Sequence, residues 1–187
     1  MRRQISATEF EELYRTTVRD LFAYVERRSH GDAEDLVAEI YAVAWKRQAD
    51  LPTAMFRRAW LFGVARILVA ADARHRAQEG AAHLSAANLA AASDTEVQES
   101  DAAAVVRLAM AELSASDREV LQLVEWERLT AAELAVTLGV RPGTARVRLH
   151  RARQALARSP RLRALLGLDT ASTDEAAGAV APDRELA

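Results

Sequence analysis

The most constraining feature of the chain is residues 130–153, TAAELAVTLGVRPGTARVRLHRAR, which predict two short helices joined by a glycine turn. Thr130 and Glu133 have the spacing of a capping box, in which each side chain accepts a hydrogen bond from the other residue's amide. Gly139 suits the left-handed position after a helix end, and Pro142 suits the first turn of the next helix. The pattern is typical of a helix-turn-helix.

The distribution of charge is more informative than the net charge of −2. Residues 141–163 contain eight arginines and no acid, whereas 77–104 contain five acids without lysine or arginine. Residues after 164 hold five further acids and one arginine. An arginine-rich helix binds phosphates by counterion release and can contact guanine edges. A merely solvated basic surface is the simpler alternative, but the adjacent turn motif favours DNA binding.

Composition excludes several other functions. The chain has no cysteine, which rules out disulfides, thiolate metal sites and a cysteine nucleophile. Its four histidines are scattered, with no HExxH pair, glycine-rich phosphate loop or nucleophile elbow. We therefore expect no enzyme activity, no cofactor and no metal. No apolar run approaches the roughly 20 residues of a membrane span, so we expect a cytoplasmic protein without membrane insertion.

Hydrophobic periodicity predicts an all-α protein of two small helical domains joined by a flexible linker. The first domain, 1–76, contains three helices over about 8–28, 32–48 and 53–76. An acidic, alanine-rich linker follows over 77–101, then a four-helix domain over 102–163 and a disordered acidic tail over 164–187.

Two local features refine this prediction. The third helix carries an apolar stripe that is expected to face the core: Phe56, Trp60, Val64, Ile67, Leu68 and Ala71. Ser116 and Glu119 have the spacing of a second capping box, which would open the helix before the helix-turn-helix.

The segment ELSASDREVLQLVEWERLTAAELAVTLGVRPGTARVRLHRARQAL, 112–156, resembles region four of bacterial sigma factors. DAEDLVAEIYAVAWKR (32–47) and WLFGVAR (60–66) are similar to region two of the same family, in the expected order. The small size indicates the extracytoplasmic-function (ECF) subgroup. The resemblance implies a promoter-specificity subunit with three partners: core RNA polymerase, promoter DNA and an anti-sigma factor.

The resemblance also implies residue roles. Contacts to the −35 element are expected from Arg141, Thr144, Arg146, Val147, Arg148, His150 and Arg151. Contacts to the −10 element are expected from Trp60, Arg66, Arg74 and Arg76, and contacts to core polymerase from Asp32, Asp35, Leu36 and Glu39. Two of these residues have a simpler alternative role. Asp32 could be a helix cap and nothing more, and Trp60 suits a core position better than a stacking platform.

The chain departs from the family pattern at several of these positions. Ile67 and Ala71 replace polar residues of many relatives, and Ala145 and Val147 stand where valine and serine are usual. A conventional helix-turn-helix regulator of the response-regulator output type is the alternative function; such a protein would bind promoter DNA without core polymerase.

Overall fold

The computed structural model describes residues 5–29, 31–83 and 101–168, and within these ranges all regular structure is helical. This confirms the all-α prediction. The α-helices are α1 (Ala7–Glu26), α2 (Ala33–Lys46), α3 (Ala54–His83), α4 (Asp101–Glu112), α5 (Ala115–Glu125), α6 (Ala131–Leu138), α7 (Pro142–Ala157) and α8 (Pro160–Leu165), with a 3-10 turn at Gln48–Asp50 between α2 and α3.

Polar caps determine where several helices begin. At the start of α2, Asp32 accepts a hydrogen bond from the amide of Glu34 at 2.8 Å. At α5 the predicted capping box of Ser116 and Glu119 is wrong, because Ser114 is the cap and accepts from the amide of Asp117 at 3.1 Å. Ser114 is extended (ψ 149°) between α4 and α5, while Ser116 already lies in the first helical turn. Only an extended residue can direct its side chain back to the amides of the first turn.

Helices α1–α3 form an N-terminal bundle around large buried side chains. Leu21, Tyr24, Ile40 and Phe62 are buried, and the rings of Tyr24 and Phe62 meet edge to face at 5.3 Å. Burying such side chains removes apolar surface from water and supplies most of the stabilisation.

The predicted apolar stripe of α3 is confirmed only in part: Trp60, Val64 and Leu68 pack against the core, whereas Ile67 does not. Ile67 is 61% exposed, and the other five members are only half-buried. The fully buried positions are instead Ala59, Leu61, Phe62, Ala65 and Val69. Because α3 packs against α1, α2 and α6, its buried positions extend beyond one amphipathic stripe.

The C-terminal helices pack as a second group, in which α5, α6 and α7 surround Leu123, Leu134 and Ala145. The sequence predicts four helices here, whereas the structure adds α8, which packs on α4. Residues 77–83 of the predicted linker continue α3, and the first residues of the predicted tail lie in α8. The rest of the predicted linker and tail, 84–100 and 169–187, lies outside the described residues.

Alkaline pH should destabilise the N-terminal bundle through Tyr24. Burial raises the pKa of Tyr24 to about 12, so the folded state resists ionisation between pH 10 and 12 while the unfolded chain ionises. Stability is therefore full below pH 10 and falls by up to about 2–3 kcal/mol by pH 12. Thermal unfolding followed by circular dichroism should show a smaller loss in Tyr24→Phe, which keeps the ring. Equal losses in both proteins would contradict this prediction.

Candidate nucleic-acid interface

The helix-turn-helix has the local geometry that the sequence predicts. The Thr130 amide donates to Glu133 Oε2 at 2.8 Å, and the Glu133 amide donates to Thr130 Oγ1 at 3.3 Å, which confirms the capping box. Gly139 is left-handed at φ 63°, and Pro142 is the first residue of α7. These local features end α6 and begin α7, and the packing of α7 on α5 and α6 completes the motif.

One face of α7 packs and the remaining surface is cationic. Ala145, Leu149 and Ala152 are buried against the other C-terminal helices. All seven residues assigned from sequence to the −35 contact are exposed on or beside α7: Arg141, Thr144, Arg146, Val147, Arg148, His150 and Arg151. The structure therefore brings this predicted set together on one accessible helix.

The arginines of α7 differ in their partners. Arg153 forms an ion pair with Glu125 at 2.9 Å. In contrast, Arg146, Arg148 and Arg151 have no ion-pair or hydrogen-bond partner for their side chains among the described residues. Their guanidinium groups are thus available to phosphates or base edges, which such groups bind with two parallel hydrogen bonds.

The residues assigned to the −10 contact do not form one accessible surface. Trp60 is half-buried against the N-terminal core, with the Arg47 guanidinium 6.0 Å from its ring centre. Arg66 Nε lies 3.0 Å from Glu119 Oε1 on α5, so the two side chains form an ion pair. The Nε–H group does not have the angle that a hydrogen bond to this oxygen requires. Of the four residues only Arg74 is exposed.

Arg76 is engaged within α3 and with the end of α1. It forms an ion pair with Asp72 and donates to Ser29 Oγ at 3.2 Å. The hydrogen bond from Arg76 lowers the pKa of the Asp72 carboxyl, and the hydrogen bond from Ser29 adds to this effect. The guanidinium is therefore already neutralised by a carboxylate.

Three of the four residues assigned to core polymerase form an exposed acidic surface at the start of α2. Asp32, Asp35 and Glu39 are exposed, while Leu36 is half-buried against the core. Asp32 also caps α2, so both interpretations of this residue fit its position.

Near this acidic surface lie aromatic side chains to which the sequence analysis assigned no functional role. Trp45 is 50% exposed and meets Phe10 at 5.0 Å, and Tyr14 is 47% exposed and meets Tyr41 at 4.7 Å. Aromatic side chains are enriched at protein interfaces relative to the rest of the surface, so these two half-exposed rings fit a contact with a partner protein.

Sequence reasoning also missed the residues that join the two helix groups. A Cβ added to Gly63 on α3 would lie 3.0 Å from the Thr137 carbonyl oxygen on α6. Glu127 is buried in the turn after α5, and the next residue, Arg128, has a left-handed φ of 57°. The one available signal was a glycine inside a predicted helix, which often marks a close backbone approach.

No group of three histidine, aspartate or glutamate side chains that could hold a metal ion occurs in the described residues. Among the described helices, none combines the length and apolarity that a bilayer crossing requires.

Comparison with known proteins identifies the family. Residues 103–156 match the family model "Sigma-70, region 4". The chain is 35% identical over 128 residues to the ECF RNA polymerase sigma factor SigL of Mycobacterium tuberculosis, a match that covers 66% of this chain and 72% of SigL. The chain belongs to the ECF RNA polymerase sigma factors.

Two solved structures share the fold. The sigma factor RpoE of Bartonella quintana, in complex with the anti-sigma factor NepR, superposes with a TM-score of 0.59 at 25% identity, over 87% of this chain and 99% of RpoE. CnrH, in complex with the cytosolic domain of CnrY, gives a TM-score of 0.53 at 24% identity over 88% and 91%. This sigma factor therefore acts in transcription initiation, with RNA polymerase and promoter DNA as its partners.

Two glycines of the helix-turn-helix should respond oppositely to alanine. A Cβ would meet nothing within 4 Å at either Gly139 or Gly143, but only Gly139 has a positive φ. Gly139→Ala should lower the free energy of unfolding by about 1–2 kcal/mol, and Gly143→Ala should raise it by up to about 1 kcal/mol. Urea unfolding measures both, and equal effects would show that backbone conformation is not the cause.

Proposed function

We propose that this sigma factor recognises the −35 element with α7 and the −10 element with α3, and docks on core RNA polymerase through α2. The −35 assignment rests on the exposed arginines of α7 that have no partner among the described residues. They lie on the second helix of the helix-turn-helix. Phosphate contacts from such arginines orient the helix, and base contacts give it specificity.

The −10 assignment rests on the basic and aromatic residues of α3. Arg74 is accessible, while Trp60 and Arg66 become available only when neighbouring helices move. Single-stranded bases stack on aromatic rings and their phosphates bind guanidinium groups, so this residue set suits the capture of melted DNA. In the structure, neighbouring residues cover all the residues assigned to the −10 contact except Arg74.

The acidic face of α2 is the proposed contact with core polymerase. Asp35 and Glu39 are exposed and have no side-chain partner among the described residues, which leaves both carboxylates available to a basic partner. Charge complementarity of this kind sets specificity and the association rate.

Three further statements complete the proposal. The chain itself catalyses no reaction, because the phosphodiester chemistry belongs to the polymerase. It works in the cytoplasm, where RNA polymerase and the chromosome are located. It is controlled by an anti-sigma factor, since RpoE is held by the anti-sigma factor NepR in the similar structure.

Run-off transcription with bacterial core polymerase and a pool of genomic fragments tests the function directly. We expect initiation at a defined subset of fragments only when this protein is present. DNA binding by the protein alone, with no gain in initiation, would instead support a conventional helix-turn-helix regulator.

Removing two arginines of α7 should weaken −35 binding without changing polymerase association. We expect Arg146→Ala/Arg148→Ala to lower the affinity of the holoenzyme for −35 duplex DNA by about tenfold or more, and to reduce the salt slope by about 2. The control is Arg19→Ala, which removes an exposed arginine of α1. Fluorescence anisotropy measures DNA binding, and a loss of core binding would show that α7 has another role.

Reversing charge on α2 should weaken core binding and spare the fold. Asp35→Arg/Glu39→Arg places two cations where a basic partner is expected, so core affinity should fall by about tenfold or more. Glu11→Arg, at an exposed carboxylate of α1, serves as the control. Co-elution with core on size exclusion measures the effect, and unchanged co-elution of the double variant would refute the assignment of α2.

A further inference from the structure

One arginine of the C-terminal helices has an unusual backbone conformation. Arg128, in the turn between α5 and α6, has a φ of 57°, and among the described residues it is the one residue other than glycine with a positive φ. This left-handed conformation is unfavourable for a residue with a Cβ, and after a helix end it is usually occupied by glycine. Arginine therefore stands at a position whose backbone favours glycine.

The neighbours of Arg128 impose this conformation. Glu127 and Leu129 are only 4% and 2% exposed, and the amide of Leu129 donates to the carbonyl of Leu123 at 3.1 Å. Immediately afterwards Thr130 caps α6. Because both neighbours are buried and a helix begins directly after them, the backbone cannot relax at Arg128 without disturbing these contacts. The turn therefore fixes a left-handed residue at this position, whatever its side chain.

The side chain of Arg128 forms no polar interaction that offsets this cost. It is exposed, and no ion pair or hydrogen bond joins it to another described residue. The carboxylates close to it in the sequence already have other partners: Glu125, Glu127 and Glu133. A residue that keeps an unfavourable backbone conformation, and whose side chain has no structural partner, indicates that the side chain has a function.

Arg128 also has a distinctive position among the unpaired arginines of the C-terminal helices. In the described part of these helices the others lie on or beside α7: Arg141, Arg146, Arg148, Arg151 and Arg158. Arg128 instead lies three residues before α6, the first helix of the helix-turn-helix. It therefore adds a cation at the end of α6 that is farther from the turn into α7.

The length of α6 places this end beside the groove that α7 enters. In a helix-turn-helix the second helix lies in the major groove and the first crosses the phosphate backbone. With eight residues α6 is about 12 Å long, which matches the major-groove width of about 12 Å. Since the C-terminal end of α6 is fixed at the start of α7, its N-terminal end reaches the phosphates that border the groove.

We propose that Arg128 is a phosphate contact of the −35 complex, which anchors the start of α6 on the DNA backbone while α7 lies in the groove. The inference rests on the proposed recognition of the −35 element by α7. A guanidinium binds a phosphate through two parallel hydrogen bonds and releases bound counterions. Because phosphates are the same in every sequence, the contact positions the protein and adds affinity without specifying bases.

Three substitutions of this residue separate its charge from its backbone conformation. Arg128→Gly removes the cation and relieves the unfavourable φ, Arg128→Ala removes the cation alone, and Arg128→Lys keeps both. The matched control is Arg158→Ala, at another exposed arginine without a partner among the described residues. Arg158 follows the 16-residue α7, so it lies about 24 Å from the end of α7 that enters the groove.

Two properties of each variant are measured on the whole chain. With core polymerase added, fluorescence anisotropy gives the affinity for a duplex that carries the −35 element of a fragment that initiates in the run-off assay. The affinity is measured over a range of salt concentrations, and also for a second duplex with base changes in that element. Thermal unfolding of the free chain, followed by circular dichroism, gives its Tm.

We expect Arg128→Gly and Arg128→Ala to lower the −35 affinity by about three- to tenfold and the salt slope by about 1. The ratio of the affinities for the two duplexes should not change, because a lost phosphate contact affects both equally. Only Arg128→Gly should raise the Tm, by about 2–4 °C. Arg128→Lys should keep the salt slope and the Tm of the parent, and Arg158→Ala should keep its affinity and salt slope.

The proposal is overturned if Arg128→Gly and Arg128→Ala bind with the affinity and salt slope of the parent, or if Arg158→Ala loses as much affinity as they do. A changed ratio between the two duplexes also overturns it, because the arginine would then contact a base. Failure of the proposed function gives a different result, in which the parent supports no initiation or Arg146→Ala/Arg148→Ala binds the −35 duplex as the parent does. Failure of this inference alone leaves that double variant weakened and the Arg128 variants unchanged.

Discussion

The contact of α3 with α6 at Gly63 and Thr137 connects the two helix groups of the described chain. Each group has its own buried side chains, but a large part of α3 packs against α6, a helix of the other group. Glycine favours this close backbone contact, because a Cβ at Gly63 would lie only 3.0 Å from the Thr137 carbonyl oxygen of α6. The exposure of Trp60 and Arg66 on α3 therefore depends on how the C-terminal helices pack against it.

Arginine has two different uses in this sigma factor, and its partners distinguish them. Arg27, Arg28 and Arg66 face carboxylates across the contact between the helix groups. Arg146 and Arg148 face outward on α7, with no carboxylate partner among the residues that the structure describes. The chain therefore combines a small net charge with a strongly basic recognition helix. Its acidic residues lie outside this helix, where some of them pair with other arginines.

Features that depend on a few neighbouring residues could be predicted from the sequence. The capping box of Thr130, the left-handed Gly139 and the start of α7 at Pro142 each follow from local hydrogen bonding and backbone conformation. The predictions that went wrong depend on distant residues. Ile67 lies outside the buried face of α3, which is set by the helices that pack on it, and Ser114 replaces Ser116 as the cap because α4 ends just before it.

The sequence by itself determined the helical fold class, the helix-turn-helix and the cationic surface of α7, since these arise from periodicity, capping chemistry and the order of charges along the chain. Only the tertiary structure decided that Arg66 is paired and that Glu127 is buried against α1, since residues far apart in sequence meet only when helices pack. No local pattern records which face of α3 receives α6. That choice is made by shape and charge complementarity between surfaces whose contacting residues, such as Ala59 and Thr137, are 78 positions apart in the chain.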